Sequence, residues 1–358
     1  MEYSRASNYW ALYSTDLEAA RQYIYSEIRK QLEGNYFVVD IWHKAISLGM
    51  GNYVKEVLDK HISKKDSLYY SLQFRIERLN GNHNEAYKLL YPDVSKKQFR
   101  SIIQDNLNKD YLEIALNGGL GDHLEAISIL IPISQKLDCK LKLSISEKYQ
   151  SILKSTLEEN NIKIGNGLGL NYTFLRAWMN WDLKNIQHIN WIKSNNSAES
   201  KKSFLFCWQA YGKADIFSSH CRSIKFNDVV YFYKLITRDN ELEDIIDISQ
   251  WKSWEANILK KMGIKLYNTA LGDLSDLSKL INNRNVITVD TALAHQCASL
   301  GKKAIVLLPK FPDERWIGLN QNKNSYGKYL IFKKQTNFNQ WKKELLELYN
   351  DNKELWGL

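Results

Sequence analysis

A strand, a turn, a helix and a second strand follow one another at residues 285–309, and this stretch constrains the fold most. Residues 286–289 form a β-branched apolar run of the kind found in buried parallel strands. Ala292–Leu300 is rich in helix formers, and Gly301 follows where a helix-ending glycine belongs. Ala304–Leu308 is again apolar throughout. The stretch therefore predicts an α/β domain with a parallel sheet.

The turn of this unit carries the polar residues Asp290 and Thr291. A helix N-terminus presents unpaired N–H groups and partial positive charge, and open α/β sheets bind ligands beyond the carboxyl ends of their strands. The Thr291 hydroxyl can donate to a phosphate there, Ala292 opens the helix, and His295 follows one helical turn later. A second interpretation stays open, in which Asp290 is only an N-cap and His295 a core histidine.

Composition limits the class of protein. A chain of 358 residues is too long for one ordinary domain and is expected to form two or three. Its 44% hydrophobic and 25% charged residues are typical of soluble globular proteins. No apolar run approaches the ~20 residues of a membrane-spanning helix, and the first residues lack a signal-peptide core, so we expect a cytoplasmic protein. The four cysteines show no CxxC spacing, which favours reduced thiols over zinc ligands.

The formal net charge of +9 raises the question of a nucleic-acid partner. The excess is spread thinly along the chain, and no segment forms a basic arm or a helix lined with Lys and Arg. The lysine doublets at 64–65, 201–202 and 333–334 are typical of solvated surface. The charge alone therefore gives a nucleic-acid partner only weak support.

Residues 1–110 contain helical patterns only. The predicted helices are Ser14–Leu32, Tyr36–Leu48, Val54–Ile62, Leu68–Leu79 and Asn84–Tyr91. Two turns, at 49–52 and 80–84, lie about one ~34-residue repeat apart, and Gly81 and Ala86 match tetratricopeptide positions. The usual Trp, Tyr and Gly of the first repeat helix are missing. We predict an all-α, tetratricopeptide-like domain that binds partners, with a plain helical bundle as the alternative.

A second β-turn-α pattern begins at Leu112–Leu116, which runs into the sequence NGGLGDH and a predicted helix at Leu124–Leu137. The glycines let the backbone approach a ligand closely. The loop does not match the dinucleotide fingerprint, which needs GxGxxG and an acidic residue ~20 positions later. Asp122 and His123 follow the turn, and a carboxylate there is a candidate general base. By themselves these residues favour the plainer interpretation, an Asp that caps the helix.

Further patterns complete two α/β halves. The first half continues with a strand at Cys139–Ser144 and a helix at Ile152–Leu157. The polar segment Ser194–Lys202 is expected to be a linker, and Phe204–Trp208 opens the second half. This half is predicted to continue with a helix at 226–231, a strand at 232–235 and a helix at 253–262. Two halves with polar turns imply a cleft between them.

Several motifs resemble one family. GLGD at 119–122, followed by a helix that contains Pro132, resembles the first motif of tetratricopeptide-containing glycosyltransferases related to O-linked N-acetylglucosamine transferase. ITVDTALAHQCASLGKKAIVLLPKFPDERW, at 287–316, is similar to their nucleotide-sugar motif, and this second motif is the more specific. Between them, residues 222–224 resemble a short RS[IL] element. The strand at 331–335, with Trp341 after it, resembles the closing part of the family.

Heptosyltransferases of glycosyltransferase family 9 share the GD…P and D[ST]xxxH elements, and the resemblance covers roughly residues 113–350. It implies a GT-B fold, in which two Rossmann-like domains, 111–200 and 201–358, face a cleft between them. In the sequence they follow the all-α domain of residues 1–110. The acceptor would bind at the first domain and the nucleotide sugar at the second. The C-terminal helix would stay on the second domain or pack back on the first.

The resemblance also implies an inverting, metal-independent transfer to a hydroxyl of a protein, glycan or lipid-linked acceptor, without a cofactor. The chain contains no DxD sequence, the carboxylate pair of metal-dependent glycosyltransferases. Asp122 would deprotonate the acceptor, with His123 in reserve, and Gly119 and Gly121 would form the acceptor-side loop. An acceptor protein or glycan could also contact the helical domain.

Without a metal, helix dipoles, hydroxyls and fixed cations would neutralise the diphosphate of a UDP-, GDP- or ADP-sugar. The resemblance places the donor at Lys213, Arg222, Asp290, Thr291, Ala292 and His295. Two alternatives remain open: a scaffold that binds sugar nucleotides without catalysis, and a nucleic-acid-directed glycosyltransferase or binding protein.

Overall fold

A computed structural model of the chain shows a mixed α/β protein with two parallel sheets and many helices. It describes residues 12, 16–64, 66–91, 93–107, 110–165, 169–182, 188–193, 202–210, 216–238, 242, 244–267, 274–313, 316 and 329–352. Ser14, Lys213 and nearly all of the predicted 194–202 linker lie outside these ranges.

Before residue 108, every helix or strand that the structure describes from residue 16 onward is an α-helix, and turns and short loops connect these helices. Its helices are α1 (Leu17–Glu33), α2 (Val39–Ser47), α3 (Gly51–His61), α4 (Ser67–Leu79), α5 (His83–Leu89) and α6 (Lys96–Leu107). Helix α1 begins after Asp16, whose carboxylate accepts hydrogen bonds from the N–H groups of Glu18 and Ala19 at 2.9 and 3.0 Å. Helices α4 and α5 pack on each other across a turn in which Gly81 has a φ of +80°. The tetratricopeptide assignment stays a prediction.

A four-stranded parallel sheet follows, in the order β3-β2-β1-β4. Its elements are β1 (Tyr111–Ala115), α7 (Leu120–Lys136), β2 (Lys140–Ser144), α8 (Glu147–Glu159), β3 (Lys163–Ile164), β4 (Leu170–Asn171) and α9 (Tyr172–Asp182). Helix α7 begins four residues before the predicted Leu124, so Asp122 and His123 lie within its first turn and not ahead of it.

The second half contains a six-stranded parallel sheet. Its elements are β5 (Ser203–Cys207), α10 (Ile216–Arg222), α11 (Phe226–Arg238), β6 (Asp244–Asp247), α12 (Ser253–Lys261), β7 (Lys265–Leu266), α13 (Leu274–Asn282), β8 (Asn285–Val289), α14 (Ala292–Leu300), β9 (Ala304–Leu308), β10 (Leu330–Lys334) and α15 (Lys342–Asp351). Across the sheet the strands run β7-β6-β5-β8-β9-β10. This is the doubly wound order 3-2-1-4-5-6, whose direction of winding reverses between β5 and β8.

The strand predicted at 232–235 is wrong. These residues lie in the middle of α11, which runs without interruption from Phe226 to Arg238. Its buried residues are Val229, Phe232, Tyr233 and Ile236, which recur with the 3.6-residue period of a helix. Taken alone, residues 232–235 are compatible with a short strand. The helical period becomes visible only when the whole segment from Phe226 to Arg238 is considered.

The two α/β halves share one hydrophobic core. Leu124 and Ile127 of α7 belong to the same buried cluster as Leu293 and Cys297 of α14. Helix α7 packs directly on α14, and α8 also contacts α13. The predicted cleft is therefore closed along these helices, and the halves meet there through side chains.

Both the C-terminal helix and the N-terminal helices pack on the second α/β half. Helix α15 packs against α11 and β10, which belong to the second half. Phe217 of α10, together with Phe311 and Phe338, joins the core of the N-terminal helices, so these helices also rest on the second half. Among the described residues, no helix is both long enough and apolar enough to cross a membrane.

Candidate functional site

The first turns of α7 and α14 meet. A Cβ atom placed on Gly121 would lie 2.7 Å from Cδ2 of His295 and 3.5 Å from the Cα of Ala292. Because α7 follows β1 and α14 follows β8, this contact joins the carboxyl ends of both sheets. The structure thus brings together Gly121 from the predicted acceptor side and Ala292 and His295 from the predicted donor side.

A short segment ties the same two helices together further along. The Ile189 N–H donates to the carbonyl of Ser128 in α7 at 2.9 Å. The N–H groups of Trp191 and Ile192 donate to the carbonyl of Ser299 in α14 at 2.9 and 3.0 Å. Trp191 and Ile192 are buried, so the segment also fills the seam between the helices. No sequence pattern indicated this connection.

Asp122 binds the start of its own helix. Its Oδ2 accepts a hydrogen bond from the Gly119 N–H at 2.6 Å. Gly118 has a φ of +102°, and a Cβ there would lie 2.6 Å from the same oxygen, so a glycine is needed to seat the carboxylate. The side chain is partly exposed. Asp122 therefore stabilises the helix terminus, as the plainer interpretation required, and its carboxylate remains within reach of a ligand.

His123 is fully buried, with a relative exposure of 0%. Its Nδ1 lies 2.8 Å from the Gly119 carbonyl, and because a carbonyl only accepts, Nδ1 carries the proton and Nε2 the lone pair. Within the described ranges, Nε2 has no hydrogen-bond partner. Burial lowers the pKa of His123, and its ring packs edge-on against Tyr149 at 5.1 Å. It is a neutral core histidine, which makes it a weaker candidate base than Asp122.

Arg222 and Asp290 are held together at the carboxyl end of β8. Arg222 donates from a terminal guanidinium nitrogen to the Asp290 carbonyl at 3.2 Å, and the same nitrogen lies 3.6 Å from the carboxylate. The Asp290 side chain is 2% exposed and that of Arg222 is 21% exposed. Arg222 can therefore face a ligand while Asp290 cannot. Lys213, the other predicted cation, lies outside the described residues.

Thr291 is the N-cap of α14. Its hydroxyl oxygen accepts from the Leu293 N–H at 3.3 Å and lies 3.1 Å from the Thr288 hydroxyl. Thr288 donates to the Val289 carbonyl, so the Thr291 proton can point to Thr288 or to a ligand. The Cys207 thiol at the end of β5 is a close neighbour, and burial raises its pKa to about 11. Thr291 thus lies where the sheet order reverses, the position at which such sheets bind ligands.

His295 is 1% exposed and stacks on Trp316, with ring centroids 4.8 Å apart and planes inclined by 29°. Its ring is therefore held between Trp316 and Gly121. Neither Trp316, although it ends the nucleotide-sugar motif, nor Tyr149 was predicted to have a role. The partners of both histidines are aromatic residues distant in sequence, which local patterns do not identify.

A buried hydrogen-bond network at the end of β6 was likewise not predicted from the sequence. Asp247 is 0% exposed, and its Oδ2 accepts from the Tyr233 hydroxyl and the Trp251 indole, each at 2.9 Å. Its Oδ1 accepts from the Ser249 N–H at 2.7 Å. The Trp208 indole, just beyond β5, donates to Tyr233 at 2.8 Å. Burial raises the pKa of Asp247 while these hydrogen bonds partly oppose the rise. The network holds the segment after β6 against Trp208, which directly follows the Cys207 neighbour of Thr291.

The part of the chain that the structure describes contains no cluster of three or more His, Cys, Asp or Glu side chains able to hold a metal ion. No protein-family model, no curated protein and no solved structure matches this chain. Its function is therefore inferred from its residues and their geometry.

Replacing Gly121 with alanine is expected to destabilise the protein by about 1–3 kcal/mol, because the added methyl group would overlap the His295 ring. Urea unfolding of the variant measures this. The matched control is Gly51→Ala in α3, where an added Cβ has no atom within 4 Å, and which is expected to leave stability unchanged or raise it by up to ~1 kcal/mol. Equal effects of the two substitutions would show that α7 and α14 do not touch at Gly121.

Proposed function

We propose that the chain is an inverting, metal-independent glycosyltransferase of the GT-B type, which moves a sugar from a nucleotide-sugar donor to a hydroxyl acceptor. One observation carries the proposal: the first turns of α7 and α14, each at the carboxyl end of a parallel sheet, meet at Gly121 and His295. A donor group and an acceptor group bound at the two helix starts would be neighbours. Proximity of that kind is what group transfer requires.

The donor half is proposed to hold the diphosphate at the start of α14. Helix N–H groups and the helix dipole favour an anion at that end. Thr291 can add its hydroxyl, and Arg222 contributes positive charge from a partly exposed side chain. The pairing of Arg222 with Asp290 fixes the guanidinium in place, so little reorganisation is needed when the leaving group gains charge.

The acceptor half is proposed to supply the base. As the acceptor oxygen attacks the anomeric carbon, its proton passes to the Asp122 carboxylate, and the bond from that carbon to the diphosphate oxygen breaks. The nucleoside diphosphate leaves with the bonding electrons and is stabilised by the α14 terminus and Arg222. Attack from the face opposite the leaving group inverts the anomeric centre.

The proposal is tested by measuring the melting temperature of the full chain with UDP-, GDP- and ADP-sugars, and the release of nucleoside diphosphate. We expect one nucleotide class to stabilise the protein and to be turned over when a hydroxyl acceptor is supplied. Failure of every donor to bind would overturn the proposal. Binding without transfer or hydrolysis would instead identify the non-catalytic scaffold.

Thr291→Val is expected to weaken nucleotide-sugar binding roughly 10- to 100-fold, because a hydrogen bond to a charged group typically contributes ~1.5–3 kcal/mol. The lost cap should cost only ~0.5–2 kcal/mol of folding stability. Isothermal titration of the variant measures the affinity. Thr291→Ser, which keeps the hydroxyl, is the control and should bind as the natural protein does. Unchanged affinity in Thr291→Val would remove this hydroxyl from the donor site.

A further inference from the structure

Helix α12 leaves two large apolar side chains open to solvent. Trp254 is 55% exposed, and Ile258, one turn later, is 38% exposed. Residues four apart lie on the same face of a helix, so the two side chains form one apolar stripe. The Trp254 ring packs edge-on against Phe226 at the start of α11, with ring centroids 5.2 Å apart. The stripe is therefore held in a fixed place on the surface of the second half.

Lysines border the apolar stripe. Lys261 lies three residues after Ile258 on α12, Lys252 immediately precedes the helix, and Lys225 immediately precedes Phe226. All three side chains are exposed. None of them forms an ion pair in the part of the chain that the structure describes. Their positive charges thus face solvent around the stripe.

The carboxylates of the same two helices leave this positive charge in place. The acidic residue of α12 is Glu255, which is 9% exposed and whose Oε2 accepts a hydrogen bond from the Lys252 N–H at 2.8 Å. It therefore caps the helix and does not face solvent. Asp228, in the first turn of α11, is partly buried and is influenced by the charges of both Lys225 and Lys342. Two lysines compensate this one carboxylate, so the border of the stripe keeps a net positive charge.

The small size of the stripe and the charge around it indicate the kind of partner. A stable protein–protein interface buries about 800 Å² on each partner, far more than two half-exposed side chains provide. Single-stranded nucleic acid would use the lysines and the aromatic ring, but an aliphatic side chain such as Ile258 offers it no stacking surface. A bilayer interface accepts single apolar side chains, favours Trp at the level of the headgroups, and attracts lysines when its lipids are anionic.

We propose that α12 docks the chain on the surface of an anionic lipid bilayer. Trp254 and Ile258 would enter the boundary between headgroups and acyl chains, while Lys225, Lys252 and Lys261 contact the headgroups. The docking does not depend on sugar transfer, because none of these five residues takes part in the proposed reaction.

The test is co-sedimentation of the full chain, without any nucleotide sugar, with vesicles of phosphatidylcholine alone and of phosphatidylcholine mixed with phosphatidylglycerol. We expect binding to the mixed vesicles that weakens as NaCl is raised, and binding at least ~tenfold weaker to phosphatidylcholine alone, since three lysines face the surface. Equal binding to both kinds of vesicle, or binding to neither, would overturn the proposal. Retention by a single-stranded oligonucleotide without vesicle binding would also overturn it.

Three variants identify the docking face. Trp254→Ala is expected to weaken binding to the mixed vesicles at least ~tenfold, because Trp supplies most of the apolar area of the stripe. Ile258→Gln should weaken it in the same direction. Lys261→Gln should weaken it about fivefold, the usual contribution of one lysine at an anionic surface.

The matched control is Val39→Gln at the start of α2. Val39 is 44% exposed, but the next residue is Asp40, whose side chain is 57% exposed, so this apolar surface has no border of lysines. The variant should bind the mixed vesicles as the natural protein does. A loss in Val39→Gln equal to that in Ile258→Gln, or unchanged binding in both Trp254→Ala and Lys261→Gln, would show that α12 is not the docking face.

Discussion

Asp122→Asn is expected to reduce the turnover of sugar transfer by roughly 10²–10⁴-fold, the usual contribution of a positioned general base, while donor affinity changes little. The physical reason is that an acceptor hydroxyl is a poor nucleophile at neutral pH. Asparagine keeps the size of the side chain but has no basicity. Its amide oxygen can still accept the Gly119 N–H bond, which measures 2.6 Å to the natural carboxylate, so the start of α7 should remain folded. Single-turnover kinetics at saturating donor measures the effect.

A matched control separates chemistry from helix capping. Asp138→Asn makes the same change just beyond the other end of α7, at an exposed residue with a φ of +50° that asparagine also tolerates. It should leave turnover and stability unchanged. If Asp122→Asn retains turnover and loses only stability, Asp122 is a capping residue and not the base.

Asp247→Ala is expected to lower the free energy of unfolding by about 3–5 kcal/mol. The substitution would leave the Tyr233 hydroxyl, the Trp251 indole and the Ser249 N–H without their shared acceptor in a fully buried place. Urea denaturation followed by circular dichroism measures the loss. Because the network holds the segment after β6 against Trp208, and Trp208 follows the Cys207 neighbour of Thr291, the variant should also bind nucleotide sugars more weakly at temperatures where it is still folded.

Asp276→Ala serves as the comparison, since that carboxylate is 58% exposed and, among the described residues, its ion pair is with Lys279 one turn away. Exposed pairs of this kind contribute less than about 1 kcal/mol, so a small change is expected. A small change in Asp247→Ala as well would show that water, and not the carboxylate, satisfies the three donors.

The sequence alone was sufficient where a pattern is local. The β8-turn-α14-β9 unit was predicted correctly because its strands are continuous apolar runs and Gly301 has the left-handed φ of +70° that ends helices. Prediction failed where the signal was short or ambiguous. Strand β6, DIID, is too short and too acidic to stand out, and the aromatic cluster in α11 was cut into a helix and a strand.

The start of α7 shows why boundaries near a site are hard to predict. Glycines at 118–121 indicate a loop, and this placed Asp122 and His123 outside the helix. In the structure the helix begins at Leu120, because the Asp122 carboxylate, in the first turn, accepts a hydrogen bond from the Gly119 N–H. A side-chain hydrogen bond can thus extend a helix into a glycine-rich stretch. Helix propensities of single residues do not include such a bond, so they do not predict this extension.

Which candidate residues become neighbours was decided only by the tertiary structure. Local patterns place Asp122, Thr291 and His295 at helix starts, but nothing in them brings Gly121 against a histidine 174 positions later in the chain. That contact depends on the burial of α7 against α14, on the segment 189–192 that is hydrogen-bonded to both helices, and on the strand order that puts β8 beside β5. Periodicity records which face of a helix is apolar, whereas its partner is selected by the packing of the whole core.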